Sequence, residues 1–402
     1  MIDRPIISFL NSMGDSLSDT GDLYNQDLFH VIPMRWLSGL NGITPHGSFT
    51  NGYVWEEDVS VGLANQFTIS ELRKEKHLDY ADISDAVITG DYKVAPHIQK
   101  LYSLNNYKEI KYRGRHFVRT YDEGGLTAYD YSGWPSTSMT RFFSRLILST
   151  LDKKRKELIN DDKKYKITQE EKDKTLTVEL SGANDLITVN KRPSKAEADR
   201  AVKARIHNVK ELIKHGYKQF VLINLPDLSL TPRFQNGSKE ERDNAHECSE
   251  YFNAQLKLAC RELQASNPNC TIEMFDLNSE FTKIYNHPER YHFDRSKRDT
   301  PYINSPDFKM NPNGTSPAKG EIFWDEVHPT ADVHALLAYI FLRRYEHKFH
   351  FVSPVPAKEK FDFDNHRSSH FAKLFHPKGS TRQYDGKEEV KKESLSANRK
   401  IR

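Results

Sequence analysis

The chain has 402 residues, 37% of them hydrophobic and 29% charged; that balance supports one core of α/β size with solvated elaborations rather than several independent cores. Its 59 basic residues are nearly cancelled by 56 acidic ones, for a formal net charge of +3, which excludes the global positive field of a nucleic-acid-binding protein. There is no run of about 18 apolar residues and so no membrane-spanning helix, while a peripheral membrane surface stays open as a partner.

The chain runs from Met1 to Pro5 straight into the apolar stretch Ile6 to Met13. No basic region followed by a long apolar segment and a cleavage site precedes it, so no signal peptide is expected. Ile6 to Met13 reads as a first strand, as do Thr175 to Leu180, Phe220 to Asn224 and Thr271 to Leu277. Between the first two lie less regular regions, Glu56 to Lys111 and the lysine-rich Asp152 to Lys174; the latter mixes both signs of charge with few apolar residues and is expected to be a solvated excursion. A helix begins at Ser194, whose side chain caps it while Glu197 reaches back, and Ala198, Val202, Ile206, Val209 and Ile213 form its apolar stripe up to Gly216. Ser238 with Glu241 opens a second helix, and a third follows Thr330. From Lys373 the chain holds nine basic and four acidic side chains and almost no apolar period, the composition of a disordered basic tail. Strand–helix alternation predicts an α/β fold with a mostly parallel central sheet. Residues 1–350 are expected to form one catalytic domain, with insertions at about 56–111 and 152–174, and 351–402 a C-terminal extension. Cys248, Cys260 and Cys270 lack the paired spacing of a zinc site and are expected to be buried thiols, a Cys260–Cys270 disulfide staying open for an exported chain.

Three short motifs carry chemistry. Gly14-Asp15-Ser16-Leu17-Ser18-Asp19 follows the first strand, which puts Ser16 at the carboxyl edge of the sheet, where open α/β sheets keep their reactive groups. Trp324-Asp325-Glu326-Val327-His328-Pro329-Thr330 sets an acid three residues before a histidine, a spacing that suits a base and the carboxylate orienting it. A serine hydroxyl needs both to become a nucleophile. Ser181-Gly182-Ala183-Asn184-Asp185 ends the Thr175 to Leu180 strand and offers Asn184 as a donor to a developing oxyanion. Each motif alone is an ordinary turn or helix cap; the three together point to serine-dependent acyl transfer.

In this order the motifs resemble those of the GDSL, or SGNH, hydrolases. Tyr121 to Ala128 looks like that family's second block, with Thr120 where the family has asparagine; it implies Gly125, or alternatively Gly124, as a backbone donor beside Asn184 and the Ser16 N–H. Gly47 to Trp55 and Leu225 to Pro232 are similar to segments of bacterial GDSL phospholipases in the glycerophospholipid:cholesterol acyltransferase and thermolabile hemolysin group. The resemblance, from about Ile7 to Tyr345, implies a three-layer α/β/α sandwich of flavodoxin-like type. It implies Ser16, Asp325 and His328 as catalytic residues, with Asp185 the supporting or alternative acid, and neither metal nor cofactor. Its substrates would be phospholipids or lysophospholipids, with a sterol as an additional acyl acceptor.

Two other readings compete. A GDSL carbohydrate acetylesterase would use Trp36, Trp55, Trp134 and Trp324 to stack on sugars, and a silent binding protein would use the lysine-rich excursion and the tail as its surfaces. Without a signal peptide, a secreted effector acting in a host cell is favoured over a cytoplasmic enzyme.

Overall fold

The apolar run after Pro5 pairs in two places in the computed structural model. Ile6–Ile7 lies parallel to His350–Phe351, and β1 (Phe9–Gly14) enters the middle of a seven-stranded sheet. The other strands are β2 (Tyr102–Asn106), β3 (Glu109–Tyr112), β4 (Arg115–Thr120), β5 (Thr175–Leu180), β6 (Gln219–Ile223) and β7 (Thr271–Phe275), in the order β7-β6-β5-β1-β4-β3-β2. β7, β6, β5, β1 and β4 are parallel, and β3 and β2 extend the sheet antiparallel at the β4 edge. β5 and β6 are buried at every position, as strands covered on both faces must be. The structure describes residues 4–28, 31–76, 102–106, 109–135, 138–190 and 192–355.

The helices include α1 (Trp55–Lys76), α2 (Met139–Ile147), α3 (Leu151–Lys164), α4 (Ala183–Ile187), α5 (Lys195–Lys214), α6 (Lys239–Ser266), α7 (Leu277–Asn286) and α8 (Ala331–Tyr345), with further short ones at Met34–Leu37, Gln169–Asp173 and Pro232–Gln235. The mostly parallel sheet flanked by helices is the expected class, and the helices begin where the sequence says. The Ser194 side chain caps α5 by accepting from the Glu197 N–H, Ser238 and Glu241 form a full capping box, and α8 starts after Thr330. Glu197 does not reach back; its carboxylate takes the Tyr131 hydroxyl instead. Cys248, Cys260 and Cys270 are buried free thiols, with no Cys260–Cys270 disulfide.

The lysine-rich segment departs from expectation. Asp152 to Lys174 is no solvated excursion: α3 buries Leu151, Lys154, Arg155, Leu158 and Asp162 on one face, and Thr168 with Glu171 caps the short helix that leads into β5. A period-3.6 stripe was present, but charged residues fill three of its five positions, and their internal partners make it a core face. In the other irregular region, α1 buries Val59, Leu63, Ala64 and Phe67. The part of that region spanning 77–101, and the tail from 356 onward, lie outside the described residues.

Candidate active site

β1 has β4 on one side and β5 on the other, and the chain crosses from one side to the other between them. Such a switch point opens a crevice at the carboxyl ends of the strands. All three strands end there in a motif: Ser16 follows β1, Gly124 and Gly125 follow β4, and Asn184 follows β5.

Ser16 is nearly buried, 7% exposed, and its Oγ lies 2.7 Å from His328 Nε2. His328 Nδ1 lies 2.7 Å from Asp325 Oδ2. The other Asp325 oxygen accepts the backbone N–H of Val327 and of His328, at 2.8 and 2.7 Å, so three bonds fix the carboxylate within its own turn. Burial works against its charge, but the His328 ring and the two backbone N–H groups outweigh burial and hold the carboxyl below its ordinary value. Because Asp325 accepts from the ring N–H at Nδ1, Nε2 keeps the lone pair that faces the Ser16 hydroxyl. The turn is held from outside by the Trp324 N–H on His328 O and the Arg233 N–H on Glu326 O.

The two glycines are distinguishable. The Gly124 N–H donates to Asp19 Oδ2 at 2.8 Å, whereas no described residue accepts from the Gly125 N–H. Gly125 has φ +81°, and a Cβ there would lie 2.5 Å from Leu148 Cδ2, so the position requires glycine on both counts. No described residue accepts from the Ser16 N–H either. The Asn184 amide gives one proton to Leu126 O at 3.1 Å and accepts the Thr188 hydroxyl; no described residue accepts its second proton, and Asn184 lines the cavity. Asp185 does not meet His328; its carboxylate accepts the N–H groups of Ala128 and Tyr129 at 2.8 and 3.0 Å.

Sequence reasoning missed the residues that lock these loops together. The Asp19 carboxylate accepts four backbone N–H groups, those of Gly21, Asp22, Leu23 and Gly124, and so ties the serine loop to the glycine loop. Lys154, with only 2% of its side chain exposed, bridges Asp22 and Glu123 at 2.9 and 2.7 Å and does the same from below. The one signal for Lys154 was its place on the Leu151–Leu158 stripe. The segments around Asn51 and Pro226 also converge here. The Phe49 ring packs 4.9 Å from the His328 ring, Trp55 Nε1 donates to Ser18 Oγ, and Pro226, Leu228 and Thr231 line the cavity.

That cavity, about 280 Å³, opens beside Ser16 and His328 and runs inward between Leu180, Ile223, Phe275, Phe281 and Leu337. Its wall is mostly hydrocarbon, with polar groups gathered around Ser16, Asn184 and His328. Of the four tryptophans, Trp324 is buried, Trp55 is buried from solvent but lines the cavity, and Trp36 and Trp134 are exposed.

A model of the GDSL-like lipase/acylhydrolase family matches residues 11–341. The chain belongs to this family. It is 28% identical to the thermolabile hemolysin of Vibrio parahaemolyticus over 81% of its own length and 61% of that protein's, so it spans less than two thirds of that relative. It is 22% identical to the phosphatidylcholine-sterol acyltransferase of Aeromonas hydrophila over 83% of this chain and 89% of the relative. It is also 30% identical to the secreted effector protein SseJ of Salmonella typhimurium, over 40% of this chain and 38% of that one. Among the described residues no helix is long and apolar enough to cross a membrane.

Carboxylates crowd the inner side of the site in this GDSL family member. Burial pushes Asp185 up to about 7 and Glu57 up to about 8, and lifts Glu56 and Asp122 well above the carboxylate range. An acid raised by folding stabilises the folded chain below its unfolded pKa, and that contribution is lost as pH rises through the folded value. Buried His334, lowered to about 3 by burial, acts in the opposite direction, but only below its unfolded value of 6.5. Between about pH 6.5 and about pH 8.5 the melting midpoint is therefore expected to fall by several degrees. A midpoint that climbs through that window, followed by calorimetry, contradicts the burial of these acids.

Proposed function

We propose that the chain is a serine-dependent lipid ester hydrolase acting on phospholipids or lysophospholipids. The observation that carries the proposal is the 2.7 Å approach of Ser16 Oγ to His328 Nε2 at the mouth of a hydrocarbon-lined cavity. Ser16 attacks the ester carbonyl and His328 takes its proton, Asp325 holding the imidazole by Nδ1. The negative charge then formed on the carbonyl oxygen is met by the Ser16 and Gly125 N–H groups and the Asn184 amide. The leaving alcohol takes the proton from His328, and water attacks the acyl-enzyme to release a fatty acid. The cavity wall favours an alkyl chain over a sugar ring, and support for a lipid substrate also comes from the relatives named for hemolysis and for sterol acylation. A sterol reaching the same acyl-enzyme in place of water gives transfer. The likeness to a secreted effector supports action in a host cell.

The test is fatty-acid release from mixed phospholipid and lysophospholipid vesicles, with and without cholesterol, by the native chain and by Ser16→Ala. Ser16-dependent release supports the proposal, and cholesteryl ester among the products adds transfer. Ser16-dependent cleavage of acetyl esters alone replaces it with the carbohydrate reading. Asn184→Ala is expected to lower kcat by about 10²–10³ with little change in KM, the loss typical of one oxyanion donor; steady-state kinetics on a soluble ester read it.

A further inference from the structure

The rim of the cavity is apolar in a way that folding alone does not explain. Among the described residues fourteen large hydrophobic side chains are exposed, and nine of them fall in two short stretches, a concentration rather than the scatter ordinary on a surface. Val31, Ile32, Trp36 and Leu37 form the first, with Val31 77% and Trp36 61% exposed. Trp134 and the α2 residues Met139, Phe142, Phe143 and Leu146 form the second. Ser38, at the end of the first, and Ser144 and Leu148, within and after α2, line the cavity, so both stretches border it.

α2 is amphipathic with the wrong face outward. Met139, Phe142, Phe143 and Leu146 recur at the i, i+3, i+4, i+7 spacing that normally faces a core, yet they face solvent. Its polar face is the anchored one: the Arg145 guanidinium donates to Val189 O, Pro135 O and Asn190 Oδ1. The charge is equally one-sided. No acidic residue occurs between Leu28 and Trp55 or between Tyr131 and Leu151, though the chain holds 56, while Arg35, Arg141 and Arg145 lie within these stretches.

We propose that these two stretches seat the enzyme on an anionic lipid–water interface, with the apolar side chains among the acyl tails and Arg35 and Arg141 at the headgroups. This rests on the lipid reading above. The occupant follows from position: an acyl chain bound for Ser16 must enter past this rim, and a protein seated there would block it. Docking hands a single substrate molecule from the bilayer to the cavity without exposing its tail to water.

The experiment uses the full chain carrying Ser16→Ala, so that vesicles stay intact, and measures co-sedimentation with phosphatidylcholine vesicles with and without phosphatidylglycerol. Trp36→Ser, Phe142→Ser and Phe143→Ser together are expected to weaken partitioning by on the order of a hundredfold, and omission of phosphatidylglycerol is expected to weaken it as well. With Ser16 restored, the triple variant should keep its turnover of a water-soluble short-chain ester and lose vesicle hydrolysis. Undiminished sedimentation of the triple variant overturns the proposal. So does equal loss on the soluble ester, which makes these residues part of the site or the fold, or a native dimer that the triple variant converts to monomer, which makes the rim an interface between copies. Failure of the lipid reading looks different: vesicles bind, and no Ser16-dependent fatty acid appears.

Discussion

Exchange of Ser16 for alanine is expected to lower ester turnover by about four to six orders of magnitude while leaving the fold intact. The hydroxyl has one partner, His328, so its removal leaves no buried donor unanswered and no large void, and the folding stability should stay within about 1 kcal/mol of native. No neighbouring hydroxyl can substitute. Ser18 Oγ accepts the Trp55 indole N–H, and Ser12 Oγ donates to Asp122; neither faces the imidazole. Residual turnover should come only from the oxyanion donors and from binding. Kinetics on a purified, folded variant decide the matter: activity within about tenfold of native would mean that another group attacks the ester.

The parts of this protein legible in its sequence are those whose physics is local. β5 through α6 follow from apolar runs, capping serines and the stop at Gly216, each a signal contained within a few residues. Ser16 and Asn184 were legible as candidates because the ends of parallel strands are where such a fold gathers its loops, and His328 because Asp325 stands three residues before it. What stayed illegible depends on distant partners. Lys154 is a core residue because Asp22 and Glu123 meet it, and no window around Lys154 contains either acid. The choice between Gly124 and Gly125 likewise turned on Asp19, over a hundred residues upstream. The outward apolar face of α2 was missed for the opposite reason, since a helical stripe is ordinarily read as pointing inward.

Asp325 and Asp185 are both carboxylates near the site, and their amide variants separate the two roles. Asp325→Asn is expected to lower kcat by about three to four orders of magnitude with little loss of stability. The asparagine oxygen can still accept from the Val327 and His328 N–H groups, so the turn survives. The amide then presents N–H toward Nδ1, which must turn its lone pair to meet it. The ring proton moves to Nε2 and points at Ser16, where a base is required. Asp185→Asn acts elsewhere. One of the two oxygens that hold the Ala128 and Tyr129 N–H groups becomes a donor facing a donor, which should destabilise the chain by about 1–3 kcal/mol and loosen the loop that carries Gly125. Turnover per folded molecule should then fall by only about tenfold, the cost of one misplaced oxyanion donor rather than of a lost base. Melting and kcat measured on both variants give a crossed pattern: a large kinetic loss with little stability loss for Asp325, and a stability loss with a much smaller kinetic loss for Asp185. The opposite crossing would transfer the orienting role to Asp185, and with it the need for His328 to reach a carboxylate that it does not touch here.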